Sequence, residues 1–269
     1  MEKREYSGGK LFLEELEPGI LRLTINNPER RNALDYELMK SLGALLADAG
    51  AQEDVRVLIV TGAGDQAFCS GFNIGTIRTM ENQDPQVGAD TLVATTLSRL
   101  EDFPVPTIAA LNGHTFGVGG ELAATCDFRI SNGQGKYGMP PAKLGLCYHH
   151  EGLRKFLDLV GPSVAKEMFY TAEPLPMETA HRVGLVSHLV AAAEFDSFVR
   201  EFARKIARGA PLSVRGMKRS FQLLLKEPPM GSKAIAECLS WQARCFLSAD
   251  LLEGRAAFLE KREPRFKGK

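Results

Sequence analysis

The sequence has no surplus of charge of either sign: 33 Lys and Arg face 33 Asp and Glu in 269 residues. Without a basic excess the chain lacks the electrostatic term that dominates binding to nucleic acid, so that partner class is set aside. Cysteine is scarce and unpatterned. The five, Cys69, Cys126, Cys147, Cys238 and Cys245, form no CxxC pair and no metal-ligand spacing, so neither a disulfide framework nor a metal site is expected. No apolar run reaches the roughly 18 residues of a membrane-spanning helix. The opening "MEKREYSGGKLFLEEL" is charged where a secretory signal needs an apolar stretch, so a cytoplasmic location is expected. No internal repeat of about 20 to 50 residues breaks the chain into arrays.

What is present is the material of an ordinary globular core, 44% hydrophobic and 25% charged. Residues 10 to 25, "KLFLEELEPGILRLTI", hold two alternating runs around Pro18-Gly19, the pattern of a β-hairpin. "DYELMKSLGALLADAG" then places Leu38, Leu42, Leu45 and Leu46 at helical spacing behind Asp35, a suitable N-cap. "VRVLIVTG" (55–62) and "VPTIAALNG" (105–113) are short continuous apolar runs ending in glycine, as expected of strands buried on both faces. Residues 76 to 103 read as a polar loop and a helix. Strand, glycine turn and helix recur, which is α/β organisation. After "GLVSHLV" (184–190) helical patterns take over, at 194–208, 211–226, 231–247 and 249–262. The expected division is a sheet-containing core over 1–190 and a helical C-terminal region over 191–269.

Two glycine turns carry the first chemical signal. In "FCSGFNI", Gly71 lets the chain bend and aims the N–H of Phe72 outward. In "GHTFGVGGELAA", Gly117, Gly119 and Gly120 allow close backbone approach where a helix opens at about Val118. Two such N–H groups suit one oxyanion, for instance an enolate. The bland alternative is a pair of tight turns packing against the sheet. "GVGGEL" lacks the third glycine of a dinucleotide fingerprint. Glu121 follows directly. It is either a first-turn acid favoured by the helix dipole or a general acid and base beside the anion hole.

The densest run of proton-handling side chains lies in "YGMPPAKLGLCYHHEGLRKF" (137–156). Neighbouring His149 and His150 point in different directions, so at most one faces a cleft. His-His-Glu in a row lacks the spacing by which a helix presents two imidazoles to a metal. Glu151 reads as a first-turn acid of a helix running from about Glu151 to Leu159. Tyr148 fits either a core or a pocket, and His149 titrates near neutral pH when unperturbed.

At these residues the chain resembles the enoyl-CoA hydratase/isomerase, or crotonase, superfamily. The resemblance runs from "LRLTINNPERRNAL" through "FCSGFNI" and "LNGHTFGVGGELAATCDFRIS" to "FLEKREPRF", essentially the whole chain. It implies an α/β fold, a crotonase-like spiral of ββα units with a helical C-terminal trimerisation region, assembled as a trimer or a dimer of trimers. It also implies an acyl-CoA thioester substrate whose carbonyl is held by the backbone N–H groups of Phe72 and Val118. Coenzyme A is then part of the substrate and no separate cofactor is expected.

The family's CoA contacts match Arg30, Arg31 and Lys261, and further substrate contacts are implied at Ala33, Ser70, Gly71, Asn73, Ile74 and Gly117. Glu121 matches one of two glutamates that serve hydratases as acid and base. The second falls at Pro141, which cannot move a proton. Tyr148 falls where methylmalonyl-CoA decarboxylase carries a tyrosine, and His149 where dienoyl-CoA isomerases and a CoA-dependent dehalogenase carry an aspartate. Glu121, Tyr148 and His149 are therefore the catalytic candidates. Decarboxylation of a malonyl-type CoA and non-catalytic acyl-CoA or partner binding are the alternatives.

Overall fold

The computed structural model describes residues 4–73, 89–144 and 148–226, and beyond these residues 233, 236, 237, 240, 244, 248–250, 253, 257, 260, 262 and 264–269. Strands β1 (Arg4–Tyr6), β2 (Leu11–Glu17) and β3 (Ile20–Ile25) form an antiparallel meander, with Leu11 opposite Ile25. The predicted hairpin forms because Gly19, at φ 77°, takes the left-handed turn after Pro18. Helix α1 (Tyr36–Gly50) starts as expected: the Leu38 N–H donates to the Asp35 side chain at 2.9 Å. Its Leu38, Leu42, Leu45 and Leu46 are all buried.

From here one unit repeats. Strand β4 (Val57–Gly62) is followed by β5 (Ala67–Cys69) and α2 (Ala89–Glu101). Next come β6 (Thr107–Leu111), β7 (His114–Phe116) and α3 (Val118–Thr125), then β8 (Phe128–Ser131), β9 (Lys136–Gly138) and α4 (His150–Thr171). Finally β10 (Leu175–Pro176), α5 (Met177–Arg182), β11 (His188–Leu189), α6 (Phe195–Ala207) and α7 (Pro211–Lys226) close the described elements.

The first strand of each unit joins a seven-stranded sheet of order β1-β2-β3-β4-β6-β8-β11, and the second joins a four-stranded sheet of order β10-β9-β7-β5. The large sheet is parallel from β3 onward. This is the expected spiral of ββα units.

The continuous apolar strands are buried on both faces. In β4, Leu58 and Val60 enter the main core between the sheet and helices α1 to α4, while Val57 and Ile59 face Val199 and Ala203 of α6. Helix α6 thus packs on the sheet although it lies beyond residue 190. Helix α7 is pinned by the buried Lys218, whose ammonium donates to the Val105 carbonyl at 2.9 Å and to Asp127 at 2.7 Å. The face of α7 away from its buried Gly216 and Leu223 leaves Met217, Phe221, Leu224 and Leu225 exposed.

Helix α4 departs from expectation. It was predicted from Glu151 to Leu159 but extends to Thr171 across a kink, where Gly161 has φ 72°. Gly161-Pro162 reads as a stop, yet Pro162 opens the next helical segment, where its missing N–H costs nothing. The helical patterns at 231–247 and 249–262 lie mostly outside the described residues.

Candidate active site

The two glycine turns meet because the strands before them are parallel neighbours. In the small sheet β5 pairs with β7, Ala67 opposite His114 and Cys69 opposite Thr115, so both chains leave the sheet at the same end. Gly71, at φ 98°, turns the first, and a Cβ there would stand 2.9 Å from the Phe116 carbonyl oxygen and 3.5 Å from Val118 N. Only glycine fits both the angle and the space. Gly119 approaches just as closely, since a Cβ on it would lie 2.5 Å from the Cys69 carbonyl oxygen.

The direction of the Phe72 N–H follows from its bridge with Leu34. Leu34 N–H donates to Gly71 O at 2.9 Å and Asn73 N–H to Leu34 O at 2.7 Å. The intervening Phe72 N–H therefore points away from Leu34. Val118 is the first residue of α3, so its N–H has no acceptor within the helix. The Phe72 ring is half-buried and packs edge-on against Tyr36, with centroids 5.2 Å apart.

Three residues later, Glu121 is wholly buried, more so than a first-turn acid requires. Tyr148 donates its hydroxyl proton to Glu121 Oε2 at 2.7 Å, and His149 Nε2 lies 3.0 Å from the same oxygen. Oε1 is buried and has no hydrogen-bond partner among the described residues. The first turn of α4 abuts it: a Cβ on Gly152 would lie 3.0 Å from Oε1 and 2.5 Å from the Tyr148 ring. The positive end of the helix dipole thus sits beside the carboxylate.

His149 is the N-cap of α4, its Nδ1 accepting the Gly152 N–H at 3.2 Å. Tyr148 stacks on it with centroids 4.8 Å apart and leans on Phe169. The hydrogen bond to Glu121 raises the His149 pKa above its ordinary value, against the opposing effect of burial, with Glu151 adding to the rise. One imidazole faces the site, as expected. His150 is 90% exposed and touches Glu151 from outside.

Burial pushes the Cys69 thiol up to about 12, so this neighbour of the glycine turns is no thiolate nucleophile. Pro141 is buried in a short 3-10 turn. Arg30 and Arg31 are exposed on the turn after β3, whose backbone is tied to the site: Ser70 N–H donates to Arg31 O at 3.0 Å and Ser70 Oγ to Arg30 O at 3.2 Å. Ala33 belongs to the same turn and receives the Asn27 side-chain amide at 3.1 Å. Ile74 and Lys261 lie outside the described residues.

Sequence reasoning missed the scaffold of that turn. Asn32, buried at φ 57°, donates to the carbonyls of Ala63 and Ala67 at 3.0 and 2.7 Å. Asn112 likewise bonds Gly62 O and Gly64 O at 2.8 and 2.7 Å. Asparagine beside turn residues was the available signal. Gly152 was missed too, its signal being a glycine in the first turn of a predicted helix.

Two sheets wound from ββα units, with paired glycine turns and a buried glutamate at the start of α3, define a crotonase-fold enzyme. The pattern of the enoyl-CoA hydratase/isomerase family matches residues 15–269, and the chain belongs to that family. It is 32% identical to a carnitinyl-CoA dehydratase of Proteus mirabilis over 255 residues, covering 93% of this chain and 95% of that one. It is 31% identical to a short-chain-enoyl-CoA hydratase of Clostridium acetobutylicum over 257 residues, covering 93% and 94%.

Among solved structures, an enoyl-CoA hydratase from Bacillus anthracis superposes with TM-score 0.89 at 30% identity, covering 97% of this chain and all of that one. An enoyl-CoA hydratase/carnitine racemase from Magnetospirillum magneticum gives 0.90 at 30% identity, covering 99% and 97%. The protein is thus an acyl-CoA enzyme of the hydratase/isomerase family. No helix among the described residues is long and apolar enough to cross a membrane.

Proposed function

We propose that the protein moves a proton at the carbon next to the carbonyl of an acyl-CoA thioester. Glu121 is the proton carrier, and the N–H groups of Phe72 and Val118 hold the thioester oxygen as it becomes an enolate. The observation that carries this reading is the buried Oε1 atom of Glu121, which has no hydrogen-bond partner among the described residues. A buried carboxylate oxygen left bare costs free energy until a donor reaches it, and an incoming proton is such a donor. Tyr148 and His149 occupy the other oxygen and hold the carboxylate in one orientation.

As the α-carbon–hydrogen bond breaks, the proton adds to Glu121 Oε1 and the electron pair moves onto the thioester oxygen. Each preorganised backbone donor there contributes about 2.7 to 4 kcal/mol. Delivery of the proton to the γ-carbon of the dienolate of an unsaturated thioester completes a double-bond isomerisation, whereas loss or addition of water at the β-carbon makes the net reaction dehydration or hydration. The hydratase and dehydratase relatives favour reversible hydration. With Pro141 in place of a second carboxylate, the imidazole of His149 is the other group able to carry a proton. Decarboxylation of a malonyl-type CoA uses the same oxyanion hole and is the alternative reading.

In this reading Arg30 and Arg31 meet the CoA phosphates, and the exposed face of α7 joins copies of the chain into a trimer. The test is turnover of enoyl-, dienoyl- and malonyl-type CoA esters by the purified protein beside Glu121→Ala. Loss of double-bond absorbance on crotonyl-CoA that the variant lacks is the expected result. CO₂ release alone points to the decarboxylase, and no turnover above the variant across the panel leaves a binding protein.

A further inference from the structure

His149 has a second carboxylate on its other nitrogen. Glu151 Oε2 lies 3.3 Å from Nδ1, opposite the 3.0 Å contact between Nε2 and Glu121. The two carboxylates differ in setting: Glu121 is wholly buried, whereas the Glu151 side chain is 54% exposed. The ring between them is held in plane by its stack on Tyr148. The charged groups that reach it among the described residues are Glu121 from α3 and Glu151 from α4, and His150 contacts Glu151 from outside.

We propose that Glu151 is a positioning residue, the solvent-side partner that keeps His149 an imidazolium beside Glu121 while Glu121 takes up and returns a proton. The proposal rests on the role given to Glu121 above. Nδ1 has two partners that suit opposite states of the ring. A neutral ring bearing its proton on Nε2 accepts the Gly152 N–H at Nδ1, capping α4. A protonated ring has a hydrogen on Nδ1, turns that contact from attraction to repulsion, and donates to Glu151 instead.

The proton count closes. Before reaction Glu121 is a carboxylate and His149 an imidazolium, donating from Nε2 to Glu121 and from Nδ1 to Glu151. When a substrate proton adds to Glu121 Oε1, its electron pair stays on the thioester oxygen, so the site as a whole neither gains nor loses charge. His149 keeps both of its protons: once Glu121 is neutral, the positive ring, held at Nδ1 by Glu151, balances the enolate. A ring that gave its Nδ1 proton to solvent at that point would leave the enolate uncompensated in a buried site, where that is costly. When Glu121 returns its proton to carbon, the imidazolium again pairs with its carboxylate. The raised pKa of His149 accords with a ring protonated before reaction.

The test follows the His149 ring by nitrogen-edited NMR across pH, its signals assigned as those missing from His149→Gln. Glu151→Gln is compared with Glu167→Gln, which removes an exposed charge from the same helix beyond its kink. The expected result is a titration midpoint moved to lower pH in Glu151→Gln and unmoved in Glu167→Gln. With an accepted thioester, kcat of Glu151→Gln falls about two- to fivefold above neutral pH and KM holds, the scale of an exposed ion pair. A midpoint that Glu151→Gln leaves in place, or that both variants move equally, overturns the proposal. The titration needs no turnover, so its failure is separate from failure of the proposed reaction.

Discussion

His149 Nε2 stands 3.0 Å from Glu121 Oε2, so the folded chain ties a titratable ring to a buried carboxylate. That bond raises the folded-state pKa of His149 above its unfolded value. The stability it contributes is fully present below the unfolded value, about 6.5, and is lost as pH rises through the folded value. Urea midpoints measured from pH 6 to 9 are expected to fall with rising pH over that window. His149→Ala flattens this slope, and an unchanged slope in the variant contradicts the pairing.

Tyr148 holds the same oxygen through its hydroxyl. Tyr148→Phe removes only the hydroxyl and keeps the contacts with His149 and Phe169. A hydrogen bond to a charged group is worth about 1.5 to 3 kcal/mol of stability, so the melting temperature is expected to fall, and kcat, measured where the variant is still folded, to fall roughly 10- to 100-fold. A variant with full kcat shows that the hydroxyl does not position Glu121.

The fastening of α7 gives a prediction about stability. Lys218→Ala leaves Asp127 without its ammonium partner and frees the Val105 carbonyl. Lys218 is buried but Asp127 is a third exposed, so the loss is about 1 to 2 kcal/mol, read as a lower urea midpoint. A cost below about 0.5 kcal/mol contradicts the clamp.

Along the same helix, Met217, Phe221, Leu224 and Leu225 lie at i, i+4, i+7 and i+8, one exposed apolar stripe. If it joins copies of the chain, sedimentation equilibrium gives a trimer or hexamer mass and Phe221→Glu lowers it toward the monomer. A monomeric wild-type chain removes the trimer from the proposal.

Much of this was legible in the sequence because it is local. Asp35 and the leucines of α1 announce a capped amphipathic helix, and Gly19 a hairpin. The opening of α3 at Val118 follows from its glycines. The strands β5, β7 and β9 were not legible as strands, since three residues are too few to show a period of two. Their parallel pairing is what brings Gly71 beside Val118, a long-range fact invisible to any window. The choice between His149 and His150 was equally hidden: the sequence says that one turns inward, and only the packing of α4 on α3 says which. Both Tyr148 and His149 were candidates to replace a missing carboxylate, yet the structure joins them to the remaining one.

The proton-carrying role of Glu121 is tested most directly by exchange at the substrate carbon. Saturated acyl-CoA is incubated in D₂O with the wild-type protein and with Glu121→Gln, which keeps the shape and removes the base, and deuterium at the α-carbon is counted by mass spectrometry. The expected result is exchange by the wild-type chain and a loss of at least about 100-fold in the variant. Equal exchange by both proteins, or none by the wild type with a thioester that it binds, contradicts the role assigned to Glu121.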